Sequence, residues 1–304
     1  MAGFKKMENK IEKSINLSLE QSYQTLQPME TKNALAVLCE AKCIFDQLGV
    51  VFFLRQGTCL GAVRDKKLIP WDDDLDLGSV IGLHGFIEEQ IELTILEFKK
   101  SGFYTNIESY QDYFDITMMK SDIRIDWTCY RIVKNNIIHF PGVHIPVRLI
   151  KDLKEIEFSG GTYFVPNPPE DYLSAKYGPN WKIPKRSGYE KDILEMVKDF
   201  TNEVKSVSKE TNSDSSMTKI RILNENSKVV KDVFVRVVKL GVFKTDEGGY
   251  ASFYLPEDNW YSLVINYKTY EEILYLEQLS IGSNYTYKTD FKKKEGQTLA
   301  LLKD

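Results

Sequence analysis

Residues 56–77, QGTCLGAVRDKKLIPWDDDLDL, join a turn of small residues to a cluster of carboxylates, and this stretch decides the fold of the first part of the chain. The preceding residues 50–55, VVFFLR, are β-branched and aromatic, which predicts a buried strand. A helix is expected to start directly after them and to run through CLGAVRDKK, with Thr58 as its candidate N-cap. At the other end of the stretch, Leu75 and Leu77 alternate with aspartates, which predicts a second strand.

The aspartates of this second strand predict a site for a divalent metal. On a strand, Asp74 and Asp76 point to the same face about 6.7 Å apart at the backbone, within reach of one hard cation. Asp72 and Asp73 precede them, and neighbouring like charges cost free energy unless cations neutralise them. Oxygen-only ligands favour Mg²⁺ or Mn²⁺ over zinc. Most acidic runs are solvated loops, but Trp71 and the interleaved leucines favour metal binding here.

A two-metal site for phosphoryl transfer needs a third carboxylate from an adjacent strand. Two further strands are predicted at FDITMMK and IRIDWTCY, with a turn near Ser121 and Asp122. Asp126 is the preferred third carboxylate because it lies in an otherwise apolar strand, where an unpaired charge is costly. Asp115 is the competitor. Arg124 shares a face with Asp126 and could instead be an ion-pair partner.

The turn after the first strand is a candidate phosphate cradle. Backbone N–H groups at a helix start bind phosphate, and Gly57 allows close approach, although an ordinary strand-to-helix turn has the same residue types. Arg64 is the preferred phosphate ligand, whereas Lys66 and Lys67 are typical of solvated surface.

The block GTCLGAVRDKKLIPWDDDLDL resembles the hallmark block of the LicD and fukutin-related family of phosphotransferases, with its G-T-x-L-G-A-V-R and I-P-W-D-D-D-hydrophobic-D elements intact. The later EDYLSAKYGPNWKIPKR is similar to the closing Tyr-Gly-x-x-Trp-x-x-Pro element of that family. The resemblance covers about residues 30–190 and implies a nucleotidyltransferase-like fold, an α/β (α+β) mixed sheet with flanking helices. Cys59 stands at a position that is usually aliphatic, and a cysteine cluster like the zinc-binding one of the animal fukutin-related proteins is missing from the sequence.

This resemblance implies transfer of a phospho-alcohol group, such as phosphocholine or a polyol phosphate, from a CDP-activated donor to a hydroxyl of a glycan, with release of CMP. Asp74 and Asp76 would hold Mg²⁺ or Mn²⁺ against the donor diphosphate, and Asp126 would complete a second metal site or accept the proton of the acceptor hydroxyl. The catalytic and metal-binding candidates are therefore Asp74, Asp76 and Asp126, and the substrate-binding candidates are Gly57, Thr58, Arg64, Lys185 and Arg186.

Two alternative functions stay open. The first is a nucleotidyltransferase that transfers NMP and releases pyrophosphate, and the second is a non-catalytic scaffold that binds a glycan or a partner protein. The retained cluster of carboxylates argues against the scaffold, because clustered charge without a bound cation is unfavourable.

The rest of the chain predicts two domains. Helical periodicity predicts helices over 30–49, 83–100 and roughly 189–206, with a short one in EDYLSAKYG. The polar segment SKETNSDSSMT reads as a linker, which gives a catalytic domain at 1–207, a linker at 208–217 and a β-sandwich at 218–304. The sandwich prediction rests on the period-two strands KIRIL, DVFVRVV, YASFYL, YSLVINY and YTYKTDF. The stretch KTDEGGYASFYLPEDNWYSLVIN resembles carboxypeptidase-regulatory β-sandwich modules, for which an accessory role is expected.

Composition excludes several classes of protein. The 40 Lys and Arg against 44 Asp and Glu leave a formal charge of −4, without the positive footprint of a nucleic-acid-binding protein. Four cysteines without a CxxC and three scattered histidines indicate neither a disulfide framework nor a zinc site. Without an apolar run of about 18 residues or a signal peptide, a cytoplasmic location is expected. A lipid-linked acceptor would bring peripheral contact with the inner face of the membrane.

Overall fold

The computed structural model describes residues 25–197, 216–289 and 297–304, together with Leu19, Ser22 and Tyr23. The end of the third predicted helix and most of the predicted linker lie outside the described residues. The chain divides into two compact units, one made of Met1–Ile138 and His144–Lys182 and the other of His139–Val143 and Ile183–Asp304. The predicted domain bounds of 207 and 218 remain a proposal.

The first unit alternates helices with strands. Its helices are α1 (Thr31–Leu48), α2 (Gln56–Leu60, continued by a π-helical turn at Gly61–Asp65), α3 (Gln90–Lys100), α4 (Arg148–Lys151) and α5 (Pro169–Tyr177). Its strands are β1 (Phe53–Leu54), β2 (Asp74–Val80), β3 (Tyr104–Ser109), β4 (Tyr113–Lys120), β5 (Ile123–Tyr130), β6 (Asn136–His139), β7 (Val143–Pro146), β8 (Lys154–Phe158) and β9 (Gly161–Val165).

Five of these strands form the main sheet, in the order β1-β2-β5-β4-β3. Strands β2 and β5 run parallel, and the remaining neighbours pair antiparallel. Two separate hairpins, β6-β7 and β8-β9, complete the strands of this unit. The mixed sheet with flanking helices that the sequence predicts is therefore confirmed.

One face of the main sheet is apolar and carries the helices. Trp127 of β5 is fully buried, and its ring lies 4.9 Å from that of Phe45 in α1. Phe45 also contacts Phe98 of α3, with ring centroids 5.0 Å apart. Helices α1 and α3 thus cover this face, because the alternating apolar side chains of β2 and β5 need a partner that excludes water.

Helix α1 confirms the periodicity of residues 30–49. Its N-cap is Glu30, whose carboxylate accepts hydrogen bonds from the backbone of Lys32 and Asn33, and it ends at Gly49 in the left-handed region at φ 64°. Helix α3 is shorter than the predicted 83–100, because its first residue is Gln90. Residues 83–89 form turns instead, with positive φ at His84 and Gly85.

The second unit is rich in strands. Its elements are α6 (Tyr189–Glu195), β10 (Met217–Leu223), β11 (Phe234–Val237), β12 (Gly241–Lys244), β13 (Tyr250–Tyr254), β14 (Asn259–Tyr267), β15 (Tyr270–Leu279), β16 (Asn284–Lys288), β17 (Gln297–Thr298) and β18 (Leu302–Lys303). They form a four-stranded sheet, β13-β10-β16-β18, and a five-stranded sheet, β12-β11-β14-β15-β17.

Side chains of both sheets meet in one hydrophobic core, which includes Ile220 and Phe253 from the first sheet and Leu263 and Leu274 from the second. Two sheets that share one core have the layered arrangement expected of a β-sandwich. Four strands, β12, β15, β17 and β18, were not among the predicted ones. The predicted KIRIL, DVFVRVV, YASFYL and YSLVINY lie within or across described strands, and YTYKTDF overlaps β16 and ends outside the described residues.

Residues 183–195 pack with these strands rather than with the main sheet. The ring of Tyr189 in α6 lies 6.3 Å from that of Tyr275, and Lys191 pairs with Glu271 at 3.1 Å. Among the described residues, we find no helix with the length and hydropathy needed to cross a bilayer.

Candidate functional site

The second face of the main sheet is polar, and the strand register gathers its aspartates in one row. In the parallel pair β2-β5, Asp76 lies opposite Asp126, and Asp74 lies opposite Arg124. Opposite residues on neighbouring strands project from the same face of a sheet. The three predicted catalytic aspartates therefore share a face on adjacent strands.

Asp76 is held in place by the turn that precedes α2. Its Oδ2 accepts a hydrogen bond from the backbone N–H of Gly57 at 2.8 Å, and its Oδ1 lies 3.2 Å from a guanidinium nitrogen of Arg55. The side-chain amide of Gln56 donates to the same Oδ1 at 3.4 Å. A carboxylate held by this many donors keeps one orientation.

The structure corrects the predicted start of α2. The N-cap is Arg55 in an extended conformation, and Thr58 lies inside the helix, fully buried. The N-cap thus lies three residues before the predicted one, and Gln56, the first residue of the helix, has a left-handed φ of 40° and donates its N–H to the hydroxyl of Tyr172 at 2.9 Å. The hydroxyl of Thr58 accepts a hydrogen bond from the backbone N–H of Asp76 at 2.8 Å, and so it fixes β2 against the helix.

Arg55 links the two strands that carry the aspartates. Its guanidinium donates to the carbonyl oxygen of Leu77 at 2.8 Å and to that of Asp126 at 3.1 Å, besides its ion pair with Asp76. The side chain is almost wholly buried. Sequence analysis missed this role, although a charge at the end of the apolar block VVFFLR is a signal that could have revealed it.

Arg124 is the second buried cation on this face. Its Nη2 donates to Asp73 at 2.6 Å and to Asp74 at 2.8 Å, and its Nε lies 3.5 Å from Asp126 Oδ2. The role of ion-pair partner, which the sequence left open for Arg124, is therefore what the structure shows.

Asp126 lies closer to the row than its competitor Asp115. Asp126 is directly opposite Asp76, whereas Asp115 lies on β4, one strand further out, opposite Thr128. The hydroxyl of Thr128 donates to Asp115 at 3.2 Å. The buried Oδ1 of Asp126, by contrast, has no hydrogen-bond partner among the described residues. An orphaned buried carboxylate oxygen is the kind of atom that a metal ion satisfies.

Asp72 and Asp73 extend the row at its outer end. Asp72, Asp73 and Asp74 each offer an oxygen atom, and these atoms lie within 4.8 Å of one another. A Cβ on Gly57 would meet Asp72 Oδ2 at 2.5 Å and Asp76 Oδ2 at 3.2 Å. The missing side chain of Gly57 therefore lets two carboxylates converge beside the start of α2.

Burial and mutual repulsion raise the pKa of most of these acids. Burial raises the pKa of Asp76 to about 7, with Arg55 opposing the shift and Asp74 adding to it. The pKa of Asp73 rises to about 6, first through burial and then through Asp74. The pKa values of Asp72 and Asp126 lie well above the ordinary range, with burial as the largest cause. An excess of negative charge shielded from water attracts a cation.

These residues fit a hard divalent metal. The ligands on offer are carboxylate oxygens, the choice of Mg²⁺ and Mn²⁺, and the orphaned Asp126 Oδ1 and the space beside Gly57 supply the room and the unsatisfied atom.

Three residues were predicted to bind phosphate, namely Arg64, Lys185 and Arg186, and two of them, Arg64 and Lys185, pair with carboxylates of this chain. Arg64 donates to both carboxylate oxygens of Asp65, at 2.9 and 2.7 Å, and to the carbonyl oxygen of Trp181 at 3.4 Å. Lys185 and Arg186 belong to the second unit, where Lys185 pairs with Asp192. Their roles in binding substrate stay predictions.

Lys176 of α5 is a further charged residue that sequence analysis did not single out. Its side chain is completely buried, and burial lowers its pKa to about 7, with Arg55 adding to the effect and Asp76 opposing it. No simple sequence signal separates this lysine from the solvated lysines around it.

A parallel pair of strands with facing aspartates, next to a glycine turn and a short helix, defines an α/β domain with a carboxylate site on the polar face of its sheet. Residues 49–168 match the family model described as "LicD/FKTN/FKRP, nucleotidyltransferase domain". This part of the chain is accordingly similar to the LicD/FKTN/FKRP nucleotidyltransferase domain, which confirms the resemblance drawn from the sequence.

Several curated proteins are similar to about half of this chain. The chain is 29% identical over 165 residues to mouse "Ribitol-5-phosphate transferase FKTN" and 28% identical over the same length to its human counterpart, matches that cover 50% of this chain and 34% of each relative. It is 26% identical over 148 residues to human "Ribitol 5-phosphate transferase FKRP", covering 45% of this chain and 29% of the relative. The chain thus spans about a third of the length of these relatives, whose names denote enzymes that transfer a phosphate-linked alcohol.

Proposed function

We propose that this protein is a metal-dependent phosphotransferase that moves a phospho-alcohol group from a CDP-activated donor to a hydroxyl of a glycan and releases CMP. The observation that carries the proposal is the register that places Asp76 opposite Asp126, with Asp74 on the same face. The family match and the names of the relatives support the type of reaction. The fold proposed for residues 49–168 is accordingly nucleotidyltransferase-like.

In this proposal, Asp74, Asp76 and Asp126 hold Mg²⁺ or Mn²⁺, which when bound would neutralise charge on the donor diphosphate. Arg55 and the Gly57 amide fix Asp76, and the turn before α2 keeps Asp72 within reach of the same space. Such pre-set ligands favour the transition state, because phosphoryl transfer depends mainly on positioning and electrostatics.

The transfer itself exchanges one phosphorus–oxygen bond for another. The acceptor oxygen bonds to the phosphorus that carries the alcohol, the bond from that phosphorus to the bridging oxygen breaks, and CMP leaves with the electron pair. A carboxylate of the row takes the proton of the acceptor hydroxyl, and Asp126 is the candidate because its Oδ1 has no hydrogen-bond partner in the described part of the chain.

The identities of the donor alcohol and of the acceptor are proposed separately. The names of the relatives make ribitol phosphate the first group to test, followed by glycerol phosphate and phosphocholine. A glycan of the cell surface, free or lipid-linked, is the proposed acceptor. The proposed location is the cytoplasm, at the inner face of the membrane where the acceptor is lipid-linked.

The test is incubation of the full chain with Mg²⁺ and, in separate reactions, CDP-ribitol, CDP-glycerol, CDP-choline and CTP, with detection of CMP and pyrophosphate. CMP from a CDP-alcohol supports the proposal, and pyrophosphate from CTP would replace it by nucleotidyl transfer. Neither product with any donor, in the presence of glycan acceptors, would leave a binding scaffold.

Variants connect the product to the site. Asp74→Asn and Asp76→Asn should each abolish CMP release while the chain keeps its circular dichroism spectrum. Asp122→Asn is the matched control, because this exposed aspartate lies in the β4-β5 turn, and its activity should equal that of the unmodified chain. Full activity in both site variants would refute the assignment of these two aspartates.

A further inference from the structure

Two nitrogens of the Arg124 guanidinium donate hydrogen bonds, and its Nε makes an ion-pair contact without a hydrogen bond to any described residue. Nη2 donates to Asp73 and to Asp74, Nε lies 3.5 Å from Asp126 Oδ2, and Nη1 donates to the hydroxyl of Ser22 at 2.9 Å. Only 3% of the residue is exposed. The guanidinium is therefore a fixed positive charge among the carboxylates and not a mobile side chain.

The aromatic ring of Tyr23 also contacts the guanidinium of Arg124. The guanidinium carbon lies 4.4 Å from the centre of the Tyr23 ring, a cation–π contact, and the hydroxyl of Tyr23 shares a 2.9 Å hydrogen bond with Thr117 of β4. These contacts come from residues ahead of the family match at 49–168, so the family domain alone does not account for the way in which Arg124 is fixed.

The guanidinium of Arg124 already contacts carboxylate oxygens that a second metal ion would need as ligands. In two-metal sites the ions lie about 3.5–4 Å apart and share a carboxylate that gives one oxygen to each ion. Here Asp73 and Asp74 each give an oxygen to Arg124, and the Oδ2 of Asp126 faces its Nε. A second ion that used these oxygens would meet a fixed like charge in a site shielded from water.

The remaining oxygens point to a different place. Asp72 Oδ2 and Asp76 Oδ2 converge beside Gly57, and Asp126 Oδ1 is buried with no hydrogen-bond partner from the residues that the structure describes. These oxygens lie outside the contacts that Arg124 makes with Asp73, Asp74 and Asp126.

We propose that Arg124 is a built-in cation that takes the place of the second ion, so that the domain binds a single divalent metal. The inference rests on the proposed function, because it presupposes that the carboxylate row holds a metal. In this scheme the two oxygens of Asp126 have different roles. Oδ2 pairs with Arg124, and Oδ1 binds the ion or accepts the proton of the acceptor hydroxyl. Arg124 is a positioning residue in this scheme.

The test is the number of Mn²⁺ ions that the full chain binds without nucleotide, because a nucleotide brings an ion of its own. Isothermal titration calorimetry gives the stoichiometry, and electron paramagnetic resonance separates a lone Mn²⁺ from a coupled pair. The unmodified chain should bind one ion with the spectrum of an isolated Mn²⁺. Two ions with a coupled spectrum would overturn the role of Arg124 and leave the proposed function standing, whereas no bound ion would overturn both.

Two variants of Arg124 separate the effect of its charge on metal stoichiometry from its effect on fold stability. Arg124→Gln removes the charge and frees three carboxylate oxygens, and we expect its stoichiometry to rise from one ion to two. Arg124→Lys keeps the charge and should bind one. A purely structural arginine would change thermal stability in both variants and stoichiometry in neither, so one ion in Arg124→Gln would contradict the proposal.

A matched control is available on the same strand pair. Arg131 stacks its guanidinium carbon 4.3 Å from the ring of Phe114 and pairs with Glu88, outside the carboxylate row. Arg131→Gln should leave the Mn²⁺ stoichiometry at one. Where Arg124→Gln does not fold, the spectrum of the unmodified chain and the stoichiometry of Arg124→Lys decide the question.

Discussion

Gly57 determines how closely two carboxylates of the site approach each other. The space that a Cβ would fill is occupied by Asp72 Oδ2, at 2.5 Å, with Asp76 Oδ2 at 3.2 Å. Distances below 3.0 Å between a Cβ and another heavy atom require something to shift, and here the atom that shifts belongs to the site. Glycine is therefore required here because a side chain would collide with the carboxylates. Backbone conformation does not require it, since Gly57 is not among the residues with positive φ.

Replacement of Gly57 by alanine should weaken metal binding because the new methyl group displaces Asp72. We expect Mn²⁺ affinity to fall by about tenfold or more, the size of effect seen when the support of a metal ligand is disturbed. Calorimetric titration of Gly57→Ala measures this loss. In an Asp72→Ala background the same substitution has less to displace, so an equal loss in both backgrounds would contradict the steric explanation.

Arg55 supports the site through the backbone as well as through charge. A lysine at this position keeps the charge but cannot reach Leu77 O, Asp126 O and the carboxylate of Asp76 together. We expect Arg55→Lys to lower Mn²⁺ affinity and the rate of CMP release by about 10- to 100-fold.

The control for Arg55→Lys is Arg131→Lys, a substitution of the same type outside the row. Unfolding curves of both variants separate a lost fold from a lost site. Unchanged Mn²⁺ affinity in a folded Arg55→Lys chain would mean that charge alone positions Asp76.

At the scale of elements, the β4-β5 hairpin aligns the outer half of the polar face. Its loop consists of Ser121 and Asp122 alone, because Lys120 pairs with Ile123. Both loop residues have positive φ, at 52° and 58°, the geometry of a type I′ turn. A type I′ turn prefers Asn or Asp at its first loop position and Gly at its second, whereas this loop has Ser121 and Asp122.

The double substitution Ser121→Asn and Asp122→Gly should stabilise the protein, because Asn-Gly adopts positive φ at little cost. We expect about 1 kcal/mol, visible as a higher midpoint in urea unfolding. The opposite pair, Ser121→Ala and Asp122→Ala, should lower the midpoint. A midpoint unchanged by Asn-Gly would show that tertiary contacts and not the turn set the stability of this hairpin.

Sequence alone predicts the centre of the site because its pattern is local. Leu75 and Leu77 alternate with aspartates, and Asp126 lies between apolar neighbours, so the face that each side chain takes follows from the period of a strand. The register that sets Asp76 opposite Asp126 is a tertiary feature that the sequence does not contain. The cost of burying a charge in an apolar strand was nevertheless enough to prefer Asp126 over Asp115.

Other parts of the fold depend on contacts that a sequence pattern does not contain. The start of α2 is set by Gln56 at positive φ and by Tyr172, which lies far along the chain. The pairing of Arg64 with Asp65 and Trp181 likewise depends on where a distant loop returns. The short strands β6–β9 have too few residues for a period to be recognised.

At the scale of the whole molecule, the two units bury negative charge in different ways. The first gathers several carboxylates around two arginines, an arrangement that fits a cation. In the second, the buried carboxylate of Glu277 accepts hydrogen bonds from the backbone of Ala300 at 2.7 Å and Leu301 at 3.0 Å. This glutamate holds the last described residues of the chain against β15.

Glu277 should make the stability of the protein depend on pH. Burial raises its pKa to about 7, although the amides of Ala300 and Leu301 oppose the shift, whereas in an unfolded chain the pKa is about 4.3. Between these values the folded state holds a proton that the unfolded state has released, so the free energy of unfolding falls as pH rises. This contribution to the free energy of unfolding is complete below about pH 4.3 and lost above about pH 7, and it amounts to about 4 kcal/mol at most.

Urea unfolding of the unmodified chain and of Glu277→Gln at pH 5 and pH 8 isolates this effect from the aspartates of the first unit. The difference in unfolding free energy between the two chains should shift in favour of Glu277→Gln on going from pH 5 to pH 8, because glutamine carries no buried charge. Glu271→Gln is the control, since Glu271 is exposed and pairs with Lys191 at the surface. A difference that stays constant between the two pH values would mean that Glu277 remains ionised in the folded protein, stabilised by its two amide donors.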